Sequence, residues 1–363
     1  MAPISVRFPD ATRGQDMPAD ATMAAVDPDF TREVRMADRR PLPVLDLGPY
    51  LSGDRGAAPD LARALHDIAG GLGFLCVINH GVSPAVLRDI QDQAVKLFAL
   101  PDVAKLAVQV DQHERGYLPF RSTVVRQSRY HDKAQIDNYE AFNYGTDYAA
   151  DDPEVIAGTR LFGQNRWAEG APNLPAAALA YTDAMGALGK SLLPLWAEAF
   201  DLAPDYFAPF FTNAHGYVRL IHYPPKPDLA LNEYGLGAHS DTCLMTFLPH
   251  ENEPGIQVMD ADGQWFWPQT PADSIMVNFG QLLERWSNGF VRATPHRVIP
   301  PMTDHRYSLP FFFSPNLDHR CECLPTCRGA DNPPQYDPVS FQEFHTDYMS
   351  RVYAHFEAFD NQD

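Results

Sequence analysis

The sequence is short of positive charge. Its 28 Lys and Arg residues stand against 47 Asp and Glu residues, which gives a formal net charge of −19 at pH 7. Nucleic acids and anionic membrane surfaces are themselves negative, so a chain this acidic is repelled by both. We therefore expect neither as a partner.

Long apolar runs and cysteines are also scarce. No stretch is apolar for long enough to cross a bilayer, and the first 20 residues contain no apolar core of signal-peptide length. The five cysteines are odd in number, and without a secretion signal we expect free thiols in a reducing compartment. These observations predict a cytoplasmic protein. Cys321, Cys323 and Cys327 do not predict zinc, because structural zinc sites usually have four ligands.

What the chain does contain is enough apolar and aromatic material for a sizeable core, at 45% and 12% of its residues. Residues 1–40 are polar without sustained periodicity, and we expect an N-terminal arm or partly ordered tail. Residues 41–363 are predicted to form one domain. It would comprise a helix-rich part (41–214), a β-rich core (about 215–316), and a loop with a final helix (317–363).

Helical periodicity and end signals support the helix-rich part. Ser83 and Pro84 are typical of a helix start, and the apolar spacing that follows predicts a helix to Leu100. Residues 173–202 read as a long helix, and residues 337–356 as the last one.

Short β-like runs separated by Gly, Pro, Asn and Asp dominate from His215 onward. The predicted strands are 216–223, 236–248, 256–259, 264–267, 274–278, 291–299 and 306–314. Many short strands with turn signals between them are typical of a sandwich or barrel. Helices first and dense strands afterwards predict an α+β domain whose sheets curl around a pocket.

His239-Ser240-Asp241 lies in one of these runs. Residues two positions apart on a strand project to the same face, so His239 and Asp241 would offer an imidazole and a carboxylate to one point. His296 follows in another predicted strand, and a jelly-roll barrel can hold both strands facing one interior. Two histidines and one carboxylate with an open side suit non-haem Fe(II) oxygen chemistry. A His-x-Asp alone also occurs by chance, and we interpret His80, His215, His222 and His250 as structural or surface residues.

Arg306-Tyr307-Ser308 supplies a candidate carboxylate grip. Arg306 and Ser308 share one strand face, and a guanidinium beside a hydroxyl is well suited to a carboxylate. The alternative is an ordinary surface arginine. The apolar stretch that follows, 309–313, favours a buried strand, where an arginine needs an anionic partner.

Together these motifs resemble the Fe(II)/2-oxoglutarate-dependent oxygenases of the isopenicillin N synthase type, over about residues 41–350. The residues that carry the resemblance are His239-x-Asp241, His296 and Arg306-x-Ser308 in order, with Gly73-Phe74, Asn79-His80-Gly81-Val82, Arg115-Gly116-Tyr117, Tyr139-Glu140-Ala141-Phe142 and Asn332-Pro333-Pro334-Gln335-Tyr336.

The resemblance implies a double-stranded β-helix (jelly roll) core with flanking helices. It implies Fe(II) on His239, Asp241 and His296, and 2-oxoglutarate as co-substrate. The distal carboxylate of 2-oxoglutarate would lie on Arg306 and Ser308, with Tyr223 as a further candidate. Such an enzyme uses O2 to hydroxylate, desaturate or cyclise a small molecule and releases succinate and CO2.

Ile221 departs from the family pattern, which often has an Asn at this position. An iron-dependent oxidase of the isopenicillin N synthase type that uses no 2-oxoglutarate therefore stays open. A metal-binding jelly-roll protein without turnover is the third hypothesis.

For the substrate pocket, the candidates are Tyr117, Phe142, Phe279 and Phe313, although core positions are the alternative for the phenylalanines. Arg121, Arg126, Arg129 and Lys133 form a locally basic patch, either a solvated face or an attractant for an anionic substrate.

Overall fold

A computed structural model describes residues 26–125, 135–250 and 254–352 of the chain. Within these ranges the α-helices are α1 (Pro28–Arg35), α2 (Gly48–Leu51), α3 (Ala58–Gly70), α4 (Pro84–Phe98), α5 (Asp102–Leu106), α6 (Pro153–Ala157), α7 (Leu174–Ala199), α8 (Gln281–Trp286) and α9 (Phe341–Val352). None of these helices is both long and apolar enough to span a bilayer.

The strands in the same ranges are β1 (Asp38–Pro41), β2 (Val44–Asp46), β3 (Phe74–Ile78), β4 (Gly116–Leu118), β5 (Val124–Val125), β6 (Gln135–Ile136), β7 (Glu140–Gly145), β8 (His215–Tyr223), β9 (Leu236–His239), β10 (Met245–Pro249), β11 (Ile256–Met259), β12 (Trp265–Gln269), β13 (Ile275–Phe279), β14 (His296–Val298), β15 (Arg306–Ser308), β16 (Phe311–Ser314), β17 (Arg320–Cys321) and β18 (Val339–Ser340).

Two sheets enclose a cavity. The major sheet has the order β2-β3-β13-β10-β16-β8-β7-β4, with β15 also paired to β8. The minor sheet has the order β1-β12-β11-β14-β9. Residues from both sheets line the cavity between them. The predicted α+β class is confirmed.

Side-chain alternation along β8 separates the cavity from the main core. Tyr217, Arg219 and Ile221 line the cavity, whereas Val218 and Leu220 point to the other face and pack in the largest hydrophobic cluster. The long helix α7 belongs to that cluster. The major sheet therefore carries the cavity on one face and the helical layer on the other.

The N-terminal segment differs from the expected arm where the structure describes it. Asp27 accepts a hydrogen bond from the Phe30 N–H and caps α1, and β1 pairs in parallel with β12. Val34 on α1 is buried against residues of the minor sheet and its loops. The segment is thus a layer on the back of that sheet, while residues 1–25 lie outside the described ranges.

Three predicted strands are broken. The run 236–248 divides into β9 and β10, and only 296–298 of the run 291–299 is a strand. The run 306–314 divides into β15 and β16, although both pair with β8 in one continuous register. Pro310 lies at that break, and it has no N–H to donate to the ladder.

Candidate metal centre

His239 and His296 are cross-strand partners. His239 ends β9, His296 begins β14, and the two strands pair so that these residues lie opposite each other. Their ring centroids are 4.3 Å apart. Neighbouring strands thus bring together two imidazoles that are far apart in the sequence.

Asp241 completes the group from the turn after β9, where the chain crosses to the major sheet. Its Oδ1 lies 3.6 Å from Nε2 of His239 and 3.6 Å from Nε2 of His296. Donor atoms of all three residues lie within 4.8 Å of one another. The strand ends at His239, so the predicted shared strand face is replaced by a turn that brings Asp241 to the same point.

The other nitrogen of each ring is occupied by the backbone. Nδ1 of His239 lies 2.9 Å from the Gly237 carbonyl oxygen, and Nδ1 of His296 lies 3.1 Å from that of Thr294. A carbonyl accepts only, so Nδ1 carries the proton in both rings. Each neutral ring then presents the Nε2 lone pair to the centre.

The carboxylate is oriented in the same way. Oδ2 of Asp241 accepts hydrogen bonds from Asn278 Nδ2 at 2.8 Å and from Thr246 Oγ1 at 2.5 Å. Oδ1 is thereby turned toward the two histidines.

Gly280 lets the backbone close on the turn that holds Asp241. A Cβ at this position would lie 2.0 Å from the carbonyl oxygen of Cys243, so only glycine fits. Its N–H donates to the Leu244 carbonyl, and the N–H of Gln281 donates to the Asp241 carbonyl at 2.7 Å. The start of α8 therefore fixes the backbone of the carboxylate.

Burial favours the neutral form of the His239 imidazole, which is the form that binds a metal. It lowers the pKa of His239 to about 4, and the proximity of His296 lowers it further. Burial alone would raise the pKa of Asp241, but the two histidines and the hydrogen bonds from Asn278 and Thr246 outweigh it and lower the pKa. Neutral imidazoles and an ionised carboxylate fit a divalent iron, and the donors leave one side open.

One end of the cavity carries the predicted carboxylate grip. β15 pairs with β8 so that Arg306 lies opposite Tyr223 and Ser308 opposite Ile221. The Arg306 guanidinium is buried, lies 4.9 Å from the Tyr223 ring centroid, and has an Nη atom 3.5 Å from Ser308 Oγ. All four residues line the same cavity as the metal ligands.

The residues at the other end of the cavity were not predicted from the sequence. This end is lined by Glu114, His215, Tyr217, Arg219, Phe312, Phe341, His345, Tyr348 and Met349. Tyr217 and Arg219 carried a signal, because they lie an even number of residues before Tyr223 on β8 and so share its face. Glu114 and the α9 residues carried none, since only the tertiary fold brings them to β8.

The four predicted substrate residues are not along the cavity. All of them belong to the hydrophobic core: Tyr117, Phe142, Phe279 and Phe313. Phe313 and Phe311 point into the core, and Phe312 between them faces the cavity opposite Tyr217. The error was therefore one of strand parity, and Phe312 takes the expected place of Phe313.

The structure describes the basic patch singled out in the sequence only in part, and the cysteines in full. Arg121 lies 3.9 Å from Glu233, while Arg126, Arg129 and Lys133 lie outside the described residues. Cys321, Cys323 and Cys327 are free thiols. Among the described residues, His239, Asp241 and His296 are the one group with metal-ligand geometry.

Two family models match the chain. One, described as the non-haem dioxygenase in morphine synthesis N-terminal family, covers residues 42–170, and the 2OG-Fe(II) oxygenase superfamily covers residues 214–315. A 2-oxoglutarate-Fe(II) type oxidoreductase, hxnY of Emericella nidulans, is 31% identical over 326 residues, which is 87% of this chain and 92% of the relative.

Solved structures agree in fold. A 2OG-Fe(II) oxygenase family protein from Caulobacter crescentus superposes with a TM-score of 0.73 at 27% identity, over 85% of this chain and 98% of that one. A full-length Neurospora crassa protein in complex with alpha-KG gives a TM-score of 0.72 at 23% identity, over 85% of this chain and 96% of that one. The sheets described above thus form the predicted double-stranded β-helix.

Proposed function

The chain belongs to the 2OG-Fe(II) oxygenase superfamily, and on that premise we propose that His239, Asp241 and His296 hold its iron. It is an Fe(II)- and 2-oxoglutarate-dependent dioxygenase that acts on a small molecule. The observation that carries the residue assignment is the set of three converging donors, two of them Nε2 atoms whose rings are oriented by backbone carbonyls.

We propose that Arg306, Ser308 and Tyr223 bind the distal carboxylate of 2-oxoglutarate. A buried guanidinium next to a hydroxyl matches a carboxylate, and the apolar side chains of Leu236 and Val298 in the same cavity exclude water from it. Ile221 adds an apolar surface to the same cavity. We name these three residues the carboxylate clamp.

When bound, Fe(II) and 2-oxoglutarate supply the oxidising chemistry, in which O2 is consumed and succinate and CO2 are released. The protein's own part is to orient them. Asn278 and Thr246 hold the Asp241 carboxylate, and the clamp holds the far end of the co-substrate. The end of the cavity lined by Tyr217, Arg219 and Phe312 is then the proposed site of the substrate.

The reaction that we propose at this site is hydroxylation, desaturation or ring formation at a substrate C–H bond. An oxidase that uses no 2-oxoglutarate was left open because of Ile221, but relatives carrying that cofactor in their names do not favour it. The same relatives are named as oxidoreductases, which disfavours a non-catalytic jelly-roll protein.

The test begins without oxygen. Fe(II) and then 2-oxoglutarate are added to the protein, and the visible absorption band of the metal–2-oxo acid chelate is recorded. Oxygen is then admitted and succinate is measured. We expect a band and succinate from the native protein, and neither from His239→Ala or Asp241→Ala. Iron-dependent turnover in either variant would refute the ligand assignment.

Arg306→Ala tests the clamp separately. We expect normal Fe(II) binding and a 2-oxoglutarate requirement raised by roughly 100-fold, since a buried charge-assisted contact contributes about 2–3 kcal/mol. Arg306→Lys is the matched variant, because it keeps the charge and loses the two-pronged geometry, so its requirement should lie between the two. An unchanged requirement in Arg306→Ala would move the clamp to other residues.

A further inference from the structure

Two residues of the clamp lie on β15, at the end of the ladder that β15 and β16 make with β8. β15 is three residues long, and among the described strands it pairs with β8 alone. β15 continues the ladder that β16 makes with β8, but it lies at the end of that ladder, where fewer backbone hydrogen bonds oppose displacement of the strand. Arg306 and Ser308 project into the cavity from it, so their position depends on what holds the strand from elsewhere.

Side chains on the opposite face provide that support. His222 precedes Tyr223 on β8, and His305 directly precedes Arg306, the first residue of β15. Nε2 of His222 lies 2.7 Å from Nδ1 of His305. This contact joins β8 to the start of β15, next to Tyr223 and Arg306, the two clamp residues that lie opposite each other.

Glu140 on β7 anchors the pair from inside the protein. Its Oε1 lies 2.7 Å from Nδ1 of His222, and its Oε2 accepts hydrogen bonds from Lys105 at 2.7 Å and from the Tyr117 hydroxyl. Burial opposes the charge of Glu140, but these hydrogen bonds, with His222 first among them, lower its pKa. A carboxylate with three donors in a buried site is a rigid anchor.

The directions of the hydrogen bonds follow from that charge. An ionised carboxylate only accepts, so His222 donates to it from Nδ1. In the neutral form of that ring, Nε2 carries a lone pair and accepts a hydrogen bond from the N–H at Nδ1 of His305.

Aromatic contacts hold the His222 ring between two elements. Tyr307 of β15 stacks on His222 with a centroid distance of 4.8 Å and an interplanar angle of 12°, and Phe98 of α4 lies at 5.5 Å. The ring therefore cannot turn without moving both neighbours.

We propose that Glu140, His222 and His305 form a positioning array that holds β15 in place and thereby sets the affinity for the distal carboxylate of 2-oxoglutarate. The array touches neither metal nor co-substrate and acts through Tyr223 and Arg306. This inference rests on the clamp assigned under the proposed function.

His305 is the residue to change, because it is exposed and its loss leaves the core intact. The variants are His305→Ala and His305→Asn, since an asparagine amide can place a donor near the position of Nδ1. His66→Ala is the matched control: His66 is a partly exposed histidine on α3 that stacks on Phe290 at 4.4 Å.

Two 2-oxo acids distinguish binding at the clamp from binding at the metal. 2-Oxoglutarate uses both, whereas 2-oxobutyrate chelates the metal in the same way and has no distal carboxylate. Dissociation constants for each are read anaerobically from the visible band of the Fe(II) protein, and Fe(II) affinity is measured alone.

We expect His305→Ala to raise the dissociation constant for 2-oxoglutarate about tenfold, as loss of an outer positioning partner typically does. The constants for 2-oxobutyrate and Fe(II) should stay within about twofold, which is the ordinary scatter of surface changes. His305→Asn should recover most of the affinity, and His66→Ala should match the native protein.

Each contrary result has its own meaning. Native affinity for 2-oxoglutarate in His305→Ala, or an equal loss for both 2-oxo acids, would overturn the positioning array while leaving the proposed function standing. A native protein that gives no band with 2-oxoglutarate would remove the clamp, and the array with it.

Discussion

At the residue scale, the proposed metal centre depends on atoms that are not themselves proposed ligands. The Gly237 and Thr294 carbonyls select the tautomer of the two histidines, and Thr246 and Asn278 turn the carboxylate. Such outer contacts matter because a ligand that is free to rotate loses affinity even when its donor atom is unchanged.

Thr246→Val tests this directly. Valine has nearly the shape of threonine but cannot donate to Oδ2 of Asp241, so we expect Fe(II) affinity to fall about tenfold with little loss of stability. The measurement is an anaerobic Fe(II) titration. The control is Thr270→Val, at a threonine whose hydroxyl contacts exposed His250, and it should bind Fe(II) like the native protein. Equal Fe(II) affinity in the native protein and both variants would show that Thr246 does not support the centre.

Asp137 is a second residue with a measurable consequence. Its Oδ1 accepts a hydrogen bond from the Gly237 N–H, its Oδ2 has no hydrogen-bond partner among the described residues, and burial raises the pKa of the carboxyl to about 7. A carboxyl whose folded pKa is raised binds its proton more tightly in the native state. Its contribution to stability is therefore present below about pH 4 and is lost as the pH rises through about 7.

Asp137→Asn should remove that dependence. The amide keeps an acceptor for Gly237 and carries no charge, so we expect a gain of roughly 2–4 kcal/mol at pH 8 and little change at pH 4. Denaturant unfolding at the two pH values measures it, with exposed Asp92→Asn as the control. A gain that is the same at both pH values would contradict the raised pKa.

At the element scale, α9 forms a wall of the cavity. Phe341, His345, Tyr348 and Met349 lie on one face of it at helical spacing and line the cavity. His345 joins this helix to two other regions: Nδ1 lies 2.8 Å from Thr242 Oγ1, next to Asp241, and Nε2 lies 3.3 Å from the Glu114 carboxylate. Burial opposes the charge of Glu114, but His345 is the largest influence that lowers its pKa, to about 2.

His345→Ala should loosen α9. Loss of both contacts leaves the buried Glu114 carboxylate without its hydrogen bond from His345, at a cost of about 2 kcal/mol, so amide hydrogen exchange in 341–352 should speed up by roughly 30-fold. Mass spectrometry of peptic peptides measures it. Asp347→Ala, on the same helix and paired with exposed Arg351, is the control. Unchanged exchange would show that α9 is held by its apolar contacts alone.

At the scale of the whole molecule, the layers run from the helices through the major sheet, the cavity and the minor sheet to α1. The outermost layer supports the strands that carry the two proposed histidine ligands, because α1 packs on residues flanking β9 and β14. Val34 is 2% exposed there against Tyr234 and Ile299, whereas Met36, two residues on, is 77% exposed.

This pair gives a matched test of the layer. Val34→Ala should lower the free energy of unfolding by about 1–3 kcal/mol, from lost burial and a small cavity, while Met36→Ala should change it by less than about 0.5 kcal/mol. Denaturant unfolding measures the free energy of unfolding of both variants. Equal effects of the two substitutions would mean that α1 does not stabilise the sheet.

A cytoplasmic location, expected from free thiols, stays a prediction that cell fractionation can test.

The sequence by itself determined the fold class, the positions of most helices and strands, and the three residues that converge as candidate metal ligands. Local patterns were enough for these because alternation, caps and turns are written in neighbouring residues, and because His239-x-Asp241, His296 and Arg306-x-Ser308 fall at family positions. The same patterns misplaced Phe313, since a one-residue difference in strand parity exchanges the two faces of a sheet.

Only the tertiary structure decided how the cavity is completed. Glu114 and His345 are 231 positions apart and are in contact in the cavity wall, and Glu140, His222 and His305 converge behind the clamp. Register between strands and the docking of α9 set these contacts. Both arise from packing between segments distant in the chain, which no local pattern of residues records.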